Sequence, residues 1–159
     1  MPDFPPGLTM RPPTHKPLDM MVLFQLIQKI RSKAAGQPLS HDQVEEIATE
    51  NDLPVSSVFA AMMFDPVLRL TPETEAQITV CVGRCQSYGA IENLDKLLEL
   101  RAARKTAGET YFDLKTRNCL DRCDQGPVME SKCTAGLSVQ EFVKVEDLPE
   151  VVDLLCEAS

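Results

Sequence analysis

A chain of 159 residues, 43% of them hydrophobic, is long enough for one ordinary domain or for a compact domain with a helical attachment. The net charge of −8 is unevenly spread: residues 1–70 hold 6 basic and 8 acidic side chains, residues 71–159 hold 10 and 16. Such a surface repels phosphate backbones and anionic membranes, which argues against nucleic acid as a partner and favours a basic one. The opening Met1-Pro2-Asp3-Phe4-Pro5-Pro6 has neither a basic start nor an apolar run, so no secretory signal is expected. The apolar run at 20–24 is far short of the roughly 18 residues of a membrane span. The expectation is a soluble, cytoplasmic protein with no membrane insertion, whose thiols stay reduced. Six cysteines in that setting point to metal or redox chemistry before a disulfide frame.

In chain order, residues 1–17 contain six prolines and no apolar period, and read as an extended, solvated arm. From Leu18 the pattern turns helical. Leu18, Met21, Val22, Gln25, Leu26 and Lys29 follow a three-four spacing, Leu23, Phe24, Ile27 and Ile30 widen the apolar face, and Gly36 and Pro38 close the segment. Ser40 with Gln43 forms a capping box that opens a helix over 40–51, with Val44, Ile47 and Ala48 as its stripe. A turn at Asp52-Leu53-Pro54 leads to a third helix over 55–64, stopped by Asp65-Pro66. This helix-turn-helix outline raises DNA reading, with a cluster as sensor. The second of the two helices, however, has no Lys, Arg, Asn or Gln to meet bases or phosphates.

A composition shift over 66–76 marks the boundary between a helical segment, 18–70, and a second domain, 71–159. There Gln77-Ile78-Thr79-Val80-Cys81-Val82 reads as a strand. A helix over 90–104 follows, with Ile91, Leu94, Leu97, Leu98 and Arg101 on one side and Gly108 at its break. Strands are expected at 111–116, 128–130 and 139–145, and an amphipathic helix at 148–156. The order βαβ then ββα is an α/β layout with a small sheet covered by helices.

Two loops at strand ends carry the chemistry. Cys81-Val82-Gly83-Arg84-Cys85 is echoed by Cys119-Leu120-Asp121-Arg122-Cys123. The 34 residues from Cys85 to Cys119 hold one crossover helix and a returning strand, so one βαβ unit can bring the loops together. Four thiolates in two pairs suit an iron–sulfur cluster or a zinc ion, and spacing leaves the two level. A domain of this size does not need zinc to fold, which tilts towards iron–sulfur. Gly83, Gly89 and Gly126 let backbone N–H groups approach sulfur, while Arg84 and Arg122 either tune the centre or are simply solvated. Neither pair has the two-residue spacing of a disulfide-exchange enzyme. Cys133 and Cys156 read as unreactive, His15 and His41 as surface residues. No nucleotide fingerprint or Ser-His-Asp arrangement is present in the sequence, so electrons would pass between partners.

These residues resemble the thioredoxin-like 2Fe-2S ferredoxin family, in particular the branch formed by the small, 24 kDa-type component of NADH–quinone oxidoreductase and its relatives in NAD-linked hydrogenases and formate dehydrogenases. The likeness runs over about 40–157, through Cys81 to Ala90, Asn118 to Val128, and Val145-Glu146-Asp147-Leu148-Pro149. It implies a thioredoxin-like mixed sheet flanked by helices and preceded by a short helical segment. It also implies Cys81, Cys85, Cys119 and Cys123 as ligands of one 2Fe-2S cluster, the first pair on one iron and the second on the other. The partner it implies is a flavoprotein that oxidises NAD(P)H, or another redox protein; a second copy of the chain is a further candidate. The chain departs from the family in having three residues, not four, between Cys81 and Cys85, and Met62-Met63-Phe64 in place of an aromatic pair.

Overall fold

The computed structural model describes residues 19–159; the proline-rich arm expected over 1–17, with His15, and Leu18 lie outside them. The described residues form two compact units that adjoin in sequence at Pro72 and Glu73.

The first unit holds α1 (Met20–Ala34), α2 (His41–Glu50) and α3 (Val55–Met62). The Asp19 carboxylate accepts the Met21 N–H at 2.8 Å and starts α1, and Ala35 in the left-handed region ends it. The buried stripe of α1 is Leu26, Ile30 and Ala34, whereas Met20, Met21 and Phe24 are 73%, 68% and 64% exposed. The apolar face is therefore narrower than the residue spacing implies. The capping box of α2 is present: Ser40 Oγ accepts the Gln43 N–H at 3.1 Å and Gln43 Oε1 accepts the Ser40 N–H at 2.9 Å. His41 is not a surface residue but 2% exposed, its ring 5.8 Å from that of Phe59. As the first residue of α2 it faces α3 and packs as an aromatic side chain. Helix α3 buries Ser56, Val58, Phe59, Ala61 and Met62, which leaves it no reading face for DNA.

The second unit holds β1 (Gln77–Cys81), α4 (Ala90–Ala107), β2 (Asp113–Arg117), β3 (Met129–Cys133), β4 (Gly136–Gln140) and α5 (Leu148–Glu157). The sheet order is β2-β1-β3-β4, with β1 parallel to β2 and the other pairs antiparallel. This is the βαβ–ββα order of a thioredoxin-like fold, as expected. Ile78, Val80, Leu114 and Met129 are buried on the face against which α4 and α5 pack, with Leu94, Leu97, Leu148 and Val152 opposite them.

Three strands differ from the sequence reading, the third running Met129–Cys133 where 128–130 was expected. The second strand starts at Asp113 instead of Tyr111, because the Tyr111 ring lies beside Arg101 and Lys105 and its hydroxyl reaches Glu73 at 3.3 Å. The last strand is Gly136–Gln140 and not 139–145. The chain leaves the sheet there because the Phe142 and Val143 N–H groups bond to the carbonyls of Gln125 and Pro127, at 2.9 and 3.1 Å, instead of to β3. Phe142 takes a left-handed backbone (φ 52) to do so.

Arg101 ties the base of the sheet together. It is 4% exposed, donates to the Phe112 carbonyl at 2.9 Å and pairs with Glu73 at 2.8 Å. Asp113 in turn accepts the N–H groups of Glu73 and Thr74, at 2.8 and 3.1 Å. Removing Arg101 leaves the buried Phe112 carbonyl without its donor and buried Asp113 without the cation 4.0 Å away, so Arg101→Met should cost about 1–3 kcal/mol. The check is a lower urea midpoint at unchanged m-value.

Candidate metal centre

β1 and β2 run parallel in the register Cys81↔Arg117, so both strands deliver their loops at the same end of the sheet. Cys81 is the last residue of β1, and a 3-10 turn, Arg84–Tyr88, presents Cys85. Cys119 follows two residues after β2, and Cys123 opens the turn Cys123–Gln125. The matching spacing of the two loops thus becomes matching local structure: a strand end, a thiol, and a second thiol on a tight turn.

The two loops touch. A Cβ on Gly83 would lie 2.0 Å from the Asn118 carbonyl oxygen and 2.6 Å from its side-chain oxygen, so only glycine allows this approach. Cys81 Sγ lies 3.5 Å from the same carbonyl oxygen. A Cβ on Gly126 would meet Cys85 Sγ at 3.1 Å and Tyr88 Cδ2 at 2.9 Å, which places the Gly126-Pro127 turn directly on the first pair. Asn118, Leu120 and Tyr88 are parts of the site that the sequence reading did not single out. The available signals were Gly83 and Gly126, whose partners only the fold reveals.

All four sequence-predicted cysteines come together, as two pairs. Cys119 Sγ and Cys123 Sγ are 3.4 Å apart, and the Cys81 and Cys85 thiols hydrogen-bond to each other. The pairs interact electrostatically, Cys123 with both Cys81 and Cys85. Among the described residues no three of these sulfurs lie mutually within 4.8 Å. A tetrahedral zinc with Zn–S of about 2.3 Å would hold all four within about 3.8 Å of one another, so the spacing suits two metal atoms better than one. The first pair is buried (2% and 1% exposed), while the second is partly exposed. All six cysteines are free thiols.

Backbone donors point at the sulfurs. The Asp121 N–H reaches Cys119 Sγ at 3.2 Å, helped by a left-handed Asp121 (φ 59). The N–H groups of Leu120, Gly83 and Cys85 serve Cys81, and that of Val128 serves Cys85. The Cys85 hydrogen bond, supported by these N–H groups, brings Cys81 down to about 6 against the opposing effect of burial. Cys85, which holds the shared proton and is buried, moves up. Cys123 moves up too, first through its contact with Cys119, and Arg84 partly offsets this. Arg84 therefore acts on the centre, whereas Arg122 pairs with Glu141. Cys156 is buried in α5 and its pKa is raised by that burial; Cys133 ends β3.

Fold and site together define a thioredoxin-like α/β protein with four thiols gathered at one end of its sheet. A family model, thioredoxin-like [2Fe-2S] ferredoxin, matches residues 9–155, nearly the whole chain, and the chain belongs to that family. Its cofactor is a 2Fe-2S cluster, and the donor set fits one: thiolates in two facing pairs with N–H donors aimed at them. The match begins at residue 9, well before the region around 40 where the resemblance becomes visible by eye. Two solved structures of a thioredoxin-like [2Fe-2S] ferredoxin from Aquifex aeolicus are similar to the chain. One is 20% identical, over 48% of this chain and 74% of that one, with a TM-score of 0.42. The other, described as wild type, is 21% identical over 52% and 86%, with a TM-score of 0.45. No curated protein matches the chain.

Gly83→Ala should force the loops apart, because backbone rather than a flexible side chain is in the way. The expected result is loss of most visible cluster absorption per chain while the far-UV circular dichroism is retained. A second expectation concerns pH. In the metal-free, reduced protein the Cys81 proton leaves at about 6, against about 8.5 for an unfolded thiol. The resulting stabilisation is complete above about pH 8.5 and is lost as pH falls through about 6. Cys85, held protonated, opposes any further gain above that window. Urea midpoints of the apo protein should climb between about pH 6 and 8, and Cys81→Ser should flatten the climb.

Proposed function

We propose that Cys81, Cys85, Cys119 and Cys123 ligate the 2Fe-2S cluster, the first pair on one iron and the second on the other, and that the chain passes single electrons for a flavin-containing, NAD(P)H-oxidising subunit. The observation that carries the ligand assignment is the meeting of two sulfur pairs where Gly83 packs on Asn118. The flavin partner follows from the resemblance to the NADH-oxidoreductase branch. A cluster bound here supplies one-electron oxidation and reduction near the protein surface.

The chain's own residues prepare this chemistry. Cys81 offers a thiolate near neutral pH, while Cys85 and Cys123 must give up protons on loading, so assembly releases protons. The N–H groups of Gly83, Leu120, Asp121 and Val128 stabilise negative charge on sulfur, which favours the reduced state. Val82, Tyr88 and Val128 are buried and keep water from the first pair, whereas the partly exposed second pair is the side open to a partner. Residues 18–70 act as a helical attachment to the domain at 71–159. A cytoplasmic location is the reading that keeps these thiols reduced; among the described residues no helix is long and apolar enough to cross a membrane.

Anaerobically purified protein should be brown-red, carry about two irons and two acid-labile sulfides per chain, and bleach with dithionite. Single Ala variants of Cys81, Cys85, Cys119 and Cys123 should each lose this colour, and Cys133→Ala and Cys156→Ala should keep it. Colourless zinc-loaded protein, or colour that survives Cys81→Ala and Cys119→Ala, would refute the ligand assignment. Failure of NADH and NADPH to bleach the protein in the presence of flavoproteins captured from native extract would remove the partner.

A further inference from the structure

The helices cover one face of the sheet, and strand alternation sets the composition of the other. The ladder registers place Gln77 and Thr79 of β1, Lys115 and Arg117 of β2, Glu130 and Lys132 of β3, and Leu137 and Val139 of β4 on this second face. Asp113 belongs to it as well, but is buried, accepting two backbone N–H groups and lying near Arg101. Arg117, Lys132, Leu137 and Val139 are exposed, and Thr79, Lys115 and Glu130 are half-buried. The face thus presents three cations and one half-buried carboxylate, Glu130, in a domain with 10 basic and 16 acidic residues. Among the described residues none of the three cations is held in an ion pair, unlike Arg101, Arg104, Lys105 and Arg122.

The basic row leads to the metal centre. Arg117 is the register partner of Cys81 and stands two residues before Cys119. At the other side of the face Leu137 and Val139 are 64% and 37% exposed, on an edge strand without a single charged residue. The opposite edge, β2, carries three charges in five residues, a common way to keep a sheet edge from pairing. A surface of unpaired cations beside an apolar edge has the make-up of an interface core and rim and not that of an ordinary solvated sheet.

We propose that this uncovered face docks an acidic redox protein, with Lys115, Arg117 and Lys132 meeting its carboxylates and Leu137 and Val139 meeting an apolar spot. Charge complementarity selects the partner: the face is locally positive while the remainder of the chain is negative, so an acidic protein is steered to this side and repelled from the others. That the partner carries electrons rests on the proposed function; the charge match does not.

The test is direct binding of the full-length protein to an acidic flavodoxin by calorimetry, with basic cytochrome c as contrast. It needs no redox step, so its outcome is independent of whether the cluster reading holds. Wild type should bind flavodoxin at least tenfold more tightly at low salt than at physiological ionic strength. Lys115→Glu with Lys132→Glu should weaken flavodoxin binding at least tenfold, and the milder Lys115→Gln with Lys132→Gln should fall between. Arg69→Glu with Lys96→Glu changes the net charge equally and should stay within twofold of wild type. Arg117 is left in place because it adjoins Cys81. Equal weakening by the Arg69/Lys96 variant, binding that strengthens with salt, or a preference for cytochrome c in wild type would overturn the proposal.

Discussion

The parallel pairing of β1 with β2 is the constraint on which the site depends. Two chain segments separated by 34 residues must leave the sheet side by side and in the same direction, and only a parallel ladder with a crossover helix does this. The last bonds on the two sides of β1 lie at the centre itself: Val82 N–H to the Arg117 carbonyl at 2.8 Å, beside β2, and Cys81 N–H to the Val128 carbonyl at 3.2 Å, beside β3. The first of them ties the chain on either side of the two-loop contact, and the second brings the start of β3 under the first pair. Helix α4 then serves as a spacer whose buried face, Ile91, Leu94, Leu97 and Arg101, fixes how β2 returns.

Given that frame, glycine decides how close the loops come. At Gly83 the obstacle to any side chain is a peptide carbonyl, which cannot swing aside, and at Gly126 it is a sulfur and an aromatic ring. Close approach is what lets N–H groups from one loop serve a sulfur of the other, as Leu120 serves Cys81. The same geometry makes the two pairs unequal. The buried pair concentrates one thiolate on Cys81, and in the partly exposed pair the contact with Cys119 raises Cys123. Depth and hydrogen bonding are the handles by which a protein sets the behaviour of such a centre.

Much of this was legible in the sequence, and the reasons are particular. The doubled Cys-x-x-Arg-Cys pattern singled out the two loops that the fold brings together, because a loop motif does not depend on burial. Ser40 and Gln43 gave the start of α2 because a capping box is a local interaction. What stayed hidden was decided by partners distant in sequence. The alternation from Val139 to Val145 looks like a strand, yet Gln125 and Pro127 capture the backbone at 142 and 143. His41 looks like a solvent-facing helix start, yet Phe59 covers it. The apolar breadth of α1 overstates its buried stripe, since spacing reports which residues share a side but not whether anything packs there.

The two sides of the sheet also differ in what they are made of. One face is apolar, covered and continuous with α4 and α5, so it holds the strands in the register that aligns the loops. The other adds only Asp113 and Cys81 to the buried residues, and the exposed remainder is free to be chosen for what it meets. A net charge of −8 would be uninformative about partners if it were evenly spread. Because Lys115, Arg117 and Lys132 are gathered on the face that ends at Cys81, the molecule is polar in the electrical sense, with its positive side adjoining the metal centre. A charge distribution of that kind orients an approaching acidic protein before contact.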